Sequence, residues 1–190
     1  MKKTNFMYFG HTRKRKGNKE ARLILAGKQI KQVAEQKFLG IIFDDKLSWK
    51  SHINYVISKL NSCLGAVRGA RPYLNKPALM SIYYSLMQSR IQYCCPTWGS
   101  WETRGNQSLL CKLQAVCNKF FRAIYYMDDR DSVTELIREN HVLNMHQIYD
   151  LEVAKVITEP VPKHCQTLFK TCYTETEEGT FQLDTALARE

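Results

Sequence analysis

The stretch Lys37-Phe38-Leu39-Gly40-Ile41-Ile42-Phe43-Asp44-Asp45-Lys46-Leu47-Ser48-Trp49 decides how the rest of the chain divides. Phe38 to Phe43 is apolar apart from one glycine. A short continuous run of this kind, bounded by charge, reads as a strand buried on both faces. Gly40 inside it predicts a bulge or the close approach of another backbone. Asp44-Asp45-Lys46 ends the strand, and Leu47-Ser48-Trp49 leads into a helix. Everything before this stretch has the pattern of β-hairpins, and everything after it the pattern of helices.

Upstream, Phe6-Met7-Tyr8-Phe9 reads as a short strand ending at Gly10. His11 to Lys19 carries Arg13-Lys14-Arg15-Lys16 with no apolar anchor and reads as a loop. Arg22 to Leu25 and Lys28 to Val33 flank Ala26-Gly27, a hairpin with glycine in its turn. Downstream, Ser51 is placed to cap a helix in which Ile53, Val56, Leu60, Leu64 and Val67 recur at spacings of three and four. Asn75 and Pro77 start a second helix, apolar nearly all round, that runs to Cys94 and is stopped by Pro96. Leu109 to Ile124 is a third helix. Ser132-x-x-Glu135 predicts a capping box for a short fourth, and Asn144-x-x-Gln147 starts a fifth. The fold class is therefore α+β: an antiparallel β-hairpin region over 1–49, a helical bundle over 50–160, and a polar, acidic tail over 161–190 expected to be disordered.

Charge is unevenly placed. Residues 1–50 hold 13 Lys/Arg against 4 Asp/Glu, whereas 151–190 hold 4 against 7. A basic N-terminal section suits a polyanionic partner, nucleic acid first, although a solvated hairpin surface would have the same composition. No apolar run approaches the roughly 18 residues that span a membrane, and Phe6 to Phe9 is too short for a signal-peptide core. An intracellular setting, nuclear or cytoplasmic, is expected, with the seven Cys as reduced thiols. They contain no C-x-x-C; His164, Cys165 and Cys172 are the nearest approach to a zinc set and read better as unligated tail residues.

Phe38-Leu39-Gly40-Ile41, Asp44, Leu47-Ser48-Trp49 and His52-Ile53 together resemble a segment just past the palm of reverse transcriptases from non-LTR (LINE-type) retrotransposons, where YLGI-x-ID-x-x-LSW-x-x-HI recurs. The resemblance continues in Ile82-Tyr83-Tyr84-Ser85-Leu86, in Tyr93-Cys94 and Trp98-Gly99-Ser100, and upstream in Lys3-Thr4. It implies the last palm strand, the primer grip and the thumb of an RNA-directed DNA polymerase, a part that holds primer–template duplex. It implies that Phe38, Leu39 and Gly40 are the primer grip. Lys28, Lys31 and Lys37 on neighbouring strands, and the run Arg13, Lys14, Arg15 and Lys16, are candidates to touch phosphates. Lys3 matches a lysine that can protonate the leaving pyrophosphate, and is as readily a solvated terminal lysine.

Tyr126-Met127-Asp128-Asp129 spells YMDD, a polymerase metal motif, and Asp44-Asp45 could be its partner. The context argues against both. Two-metal chemistry needs YxDD on a tight hairpin between apolar strands, whereas Tyr126 ends an amphipathic helix. The resemblance makes Asp44 the "ID" after the primer grip and puts the metal-binding aspartates before Met1. The chain is thus expected to be a fragment, inactive alone, with no metal or cofactor of its own although the full-length family uses Mg²⁺. Weak, non-specific binding to RNA or DNA duplex, no membrane, and self-association through an exposed hairpin are expected. Trp98 reads as core; Trp101 is left between core and base stacking. The alternative function is a host adaptor whose helical bundle binds another protein.

Overall fold

The structure, a computed structural model, describes residues 4–9, 23–25, 27–101, 105–158, 173–175 and 181–183. The chain divides into a unit Met1–Asp150 and a unit Leu151–Glu190. A small β region is followed by several helices, as the apolar patterning predicts.

In the first unit, β1 (Asn5–Phe6), β3 (Lys28–Gln32) and β2 (Leu23–Leu25) form a three-stranded sheet in that order. β2 and β3 make the predicted antiparallel hairpin, Leu23 opposite Ile30 and Leu25 opposite Lys28. Gly27 takes φ +73° in its turn, a conformation that costs a side-chain-bearing residue strain. β1 joins β3 in parallel, so this sheet is mixed rather than purely antiparallel. It is thinly covered: of β2 and β3 only Ile30 is buried, and Leu23, Ile24 and Leu25 are all exposed.

The stretch Phe38 to Phe43 is not one buried strand. It is the turn of a second antiparallel hairpin, β4 (Glu35–Phe38) with β5 (Ile41–Asp44). Leu39 at φ +45° and Gly40 at φ +89° are its two loop residues, both left-handed as a tight two-residue hairpin requires. The glycine is there for the turn, not for a bulge. Only Ile41 and Asp44 of the two strands are buried; Phe38 and Leu39 stand 62% and 74% exposed at the tip.

α1 (Lys50–Ala70) buries the predicted stripe Ile53, Val56, Leu60, Leu64 and Val67. Ser51 does not cap it: the helix starts from Trp49 in the left-handed region, and the Ser51 hydroxyl bonds Glu35 instead. α2 (Lys76–Ile82) begins as predicted, with the Asn75 side chain accepting the Ala78 N–H at 3.0 Å. A π-helical segment (Tyr83–Gln88) then widens the helix before α3 (Ser89–Gln92). The helix ends there rather than at Pro96. Cys94, at φ +50°, breaks it, and Pro96 lies in the first turn of the short α4 (Cys95–Trp98).

α5 (Gln107–Tyr125) packs along α1 and buries Leu110, Leu113, Val116, Cys117, Phe120, Phe121 and Ile124. Tyr83 closes this core edge-on against Phe121, ring centres 4.9 Å apart. Burial pushes the Cys117 thiol up to about 12, so it serves as an inert apolar filler. α6 (Thr134–Glu139) lacks the predicted capping box: Val133 occupies the cap position, and no side chain caps it. α7 (Met145–Thr158) does have its box. Asn144 Oδ1 accepts the Gln147 N–H at 2.9 Å, and Gln147 Oε1 accepts the Asn144 N–H at 3.0 Å.

In the second unit, β6 (Tyr173–Glu175) and β7 (Phe181–Leu183) pair antiparallel, and Lys155 Nζ meets Glu152 Oε1 at 2.7 Å. The expected disordered tail over 161–190 otherwise lies outside the described residues. Among the described residues no helix is long and apolar enough to cross a membrane.

Candidate nucleic-acid interface

The β4–β5 hairpin is fastened to the helices at three levels. At its base, the buried Asp44 carboxylate receives three backbone N–H groups. Oδ1 accepts from Lys46 at 3.1 Å and Ser48 at 2.9 Å, and Oδ2 accepts from Trp49 at 2.9 Å. These bonds hold Leu47 and Trp49 in left-handed conformations, and Trp49 turns its ring edge-on to Phe43. Burial acts to raise the Asp44 pKa. The N–H bonds from Ser48, Trp49 and Lys46, with the Ser48 hydroxyl, outweigh burial and hold it below the usual carboxylate value. Asn106, also buried, donates to the Ser48 carbonyl at 2.8 Å and ties the same turn to the start of α5.

At the middle of the hairpin, the His52 ring is buried on α1 and its Nδ1 lies 3.3 Å from the Ile42 N–H, which donates to it. Nδ1 must therefore be unprotonated. Burial, with the nearby Lys37 charge, lowers the His52 pKa to about 4, which keeps the ring neutral. Trp98 packs edge-on to His52 at 5.3 Å and is itself fully buried, as its core reading predicts. At the tip, the Tyr93 hydroxyl donates to the Leu39 carbonyl at 2.6 Å. A Cβ added to Gly40 would lie 3.4 Å from the Tyr93 ring.

The result is an apolar tip, Phe38-Leu39, projecting into solvent from a braced hairpin. Beside it lies a cationic cluster. Lys37 Nζ donates to the Tyr55 hydroxyl at 2.7 Å and stands 4.4 Å from the ring centre, with Lys59 Nζ at 5.6 Å from the same centre. The Lys37 hydrogen bond, with the charges of Lys37, Lys59 and Arg90, lowers the Tyr55 pKa. Arg90 Nη1 also lies 3.2 Å from the Cys63 sulfur. From Lys46 to Trp101 the sequence has no aspartate or glutamate, while Lys46, Lys50, Lys59, Arg68, Arg71, Lys76 and Arg90 fall within it. The α1–α4 surface is thus built from cations without covalently neighbouring anions.

Of the candidates named from sequence, Lys37, Phe38, Leu39 and Gly40 come together here. Lys28 and Lys31 do not join one surface: three residues apart on β3, they face opposite sides of the sheet. Lys3 and Arg13, Lys14, Arg15 and Lys16 lie outside the described residues. Tyr55, Lys59, Arg90 and Tyr93 were not legible as site residues. The signal for them was the acid-free run across α1 to α4, together with Tyr55 and Lys59 at i, i+4 on one helix face.

Neither acidic motif makes a metal centre. Tyr126, at φ +57°, is the left-handed residue that ends α5, and its hydroxyl donates to the Arg71 carbonyl at 2.6 Å. Asp128 and Asp129 follow on an exposed turn, where Asp129 lies 3.7 Å from Arg68. Among the described residues no three His, Cys, Asp or Glu side chains group as a metal site. Cys172, His164 and Cys165 lie outside them. Trp101 stacks on His146, ring centres 5.8 Å apart, and is half-buried, so its face is engaged by protein. In comparisons with protein families, with curated proteins and with solved structures, nothing matches this chain.

Proposed function

We propose that this chain is the primer-grip and thumb part of a non-LTR retrotransposon reverse transcriptase, and that its work is to hold primer–template duplex rather than to polymerise. The observation that carries the reading is the braced hairpin. The residues that resemble the primer grip, Phe38-Leu39-Gly40, form an exposed tip held by Tyr93, His52 and Asp44. An apolar tip beside helices that carry cations and no carboxylate of their own suits the sugar–phosphate edge of a duplex, with apolar contact at the tip and charge contact along the backbone. Asp44 is spent on three backbone donors, and the YMDD aspartates sit on a turn after a helix, so neither supplies the paired carboxylates of two-metal chemistry. An adaptor function calls instead for a neutral or acidic groove with an exposed apolar patch.

The test is a filter-binding salt series on RNA–DNA and DNA duplexes. With about 4–6 phosphates contacted, log affinity should fall against log salt with a slope of roughly −4 to −5. Affinity near physiological salt should be micromolar or weaker, with little dependence on sequence, in the usual non-specific range. Absence of binding even at low salt would remove the reading and leave the adaptor. Primer extension with Mg²⁺, abolished by Asp128→Ala, would overturn the dismissal of YMDD.

A further inference from the structure

Tyr55 is ringed by cations from three elements. Lys37 comes from β4, Lys59 from one turn further along α1, and Arg90 from α3. Arg90 is drawn in by the Cys63 sulfur, two turns along α1 from Tyr55 on the same face. Like charges gathered around one ring repel one another. A neutral phenol relieves little of that; α1 to α4 supply no carboxylate, and Glu35, two residues from Lys37 on β4, is engaged by the Ser51 hydroxyl one turn before Tyr55. The cluster thus has cations in excess of the neighbouring carboxylate, Glu35. Lys37 uses one of its three N–H donors on Tyr55 and keeps two. Arg90 offers a planar fork that matches two oxygens of one phosphate. The chain also runs directly from Lys37 into the tip Phe38-Leu39-Gly40, and Tyr93, one turn from Arg90, holds the Leu39 carbonyl.

We propose that Lys37, Lys59 and Arg90, gathered around Tyr55, form a seat for a backbone phosphate of a nucleic-acid strand lying against the hairpin tip. This rests on the duplex-holding reading and relocates its charge contacts. They lie on α1, α3 and β4, not on the two faces of β3. Tyr55 is a positioning residue, anchoring the Lys37 ammonium at the seat without touching the strand by its own charge.

The full chain is titrated with a 20-base-pair RNA–DNA duplex over a salt series. Lys59→Gln with Arg90→Gln should reduce the salt slope by about 1, and Lys59→Gln alone by less, because the seat holds one phosphate at roughly 0.9 of slope per phosphate contact. Lys28→Gln with Lys31→Gln removes the same charge and should reduce it less. Lys59→Arg should keep the wild-type slope, which a merely structural lysine would not guarantee. All four positions are exposed, and thermal melts of the variants should match wild type. Wild-type binding with unchanged slopes in the Lys59 and Arg90 variants would overturn the seat and leave the duplex reading standing. No wild-type binding would remove both. Tighter binding to phosphatidylserine vesicles than to duplex, lost in the same variants, would assign the seat to a lipid headgroup and overturn the proposal.

Discussion

Replacing Asp44 by Asn tests the base of the hairpin. The wild-type carboxylate accepts two N–H groups on Oδ1 and one on Oδ2. The amide retains one oxygen for two of the three donors and turns an NH₂ toward the third. One hydrogen bond to a charged acceptor is lost, worth about 1.5–3 kcal/mol. The other two fall from charge-assisted to neutral strength, roughly half. The expected loss is about 3–6 kcal/mol. At about 3 °C per kcal/mol for a unit of this size, that lowers Tm by roughly 9–18 °C. The depressed pKa fixes the sign of the pH dependence. The stabilisation is present above the unfolded value of 3.8 and is lost as pH falls through the lower folded value. Wild type should therefore lose its advantage over Asp44→Asn in strong acid. Thermal unfolding followed by circular dichroism between pH 2.5 and 7 measures both. Asp45→Asn removes the neighbouring carboxylate while leaving these three bonds in place. A Tm drop under about 2 °C would refute the reasoning. So would a gain in stability, the result expected if Asp44 were a metal ligand crowded by like charge.

His52 should make stability rise with pH between about 4 and 6.5, because the unfolded ring binds a proton there and the folded ring does not. A melting series across that window should flatten in His52→Gln, and an unchanged slope would show that the ring is not held neutral. Gly40→Ala places a side chain at φ +89° and against the Tyr93 ring. It should cost about 1–2 kcal/mol in denaturant unfolding and weaken duplex binding, whereas a neutral effect would mean the tip is not set by this turn. Leu23, Ile24 and Leu25 form an exposed apolar edge strand, so the chain should self-associate in sedimentation and Ile24→Lys should reduce it; a monomer at all concentrations would count against this.

The helices were the legible part of the sequence, because burial of one face writes a three-and-four spacing that nothing else writes. Ile53 to Val67 and Leu110 to Ile124 are cases in which the pattern and the packed stripe coincide. The capping boxes divide instructively. Asn144-x-x-Gln147 forms, and Ser132-x-x-Glu135 does not. A four-residue pattern states which bonds are available, while the path of the chain into the helix decides whether they are made. The hairpin tip was misread for a reason of the same kind. Phe38 to Phe43 is continuous because both strands and the turn are apolar, and Leu39 sits in a conformation costing an ordinary residue about 1–2 kcal/mol. Only Gly40 marked the turn. The Tyr93 hydroxyl and the close fit of Gly40 against its ring, which offset that strain, lie more than fifty residues away in the chain.

The two acidic motifs show why spelling is weak evidence for chemistry. Asp44 and the Tyr126-Met127-Asp128-Asp129 turn each stand where the chain reverses out of a regular element. There, free backbone groups and left-handed residues call for acceptors and short polar side chains. Asp44 answers Lys46, Ser48 and Trp49. The Asp131 carboxylate answers the Asp128 N–H at 2.8 Å, just past the left-handed Tyr126. Aspartate is enriched at such sites whatever a protein does, so a DD pair arises there without selection for metal. A metal centre would require the reverse, carboxylates aimed at one point with their oxygens unspent on backbone donors. By that criterion Asp44 and Asp131 are structural, their oxygens spent on backbone donors. The surface proposed to hold duplex is instead drawn from helices α1 to α4, whose own sequence carries cations and no carboxylate, beside the tip at Leu39.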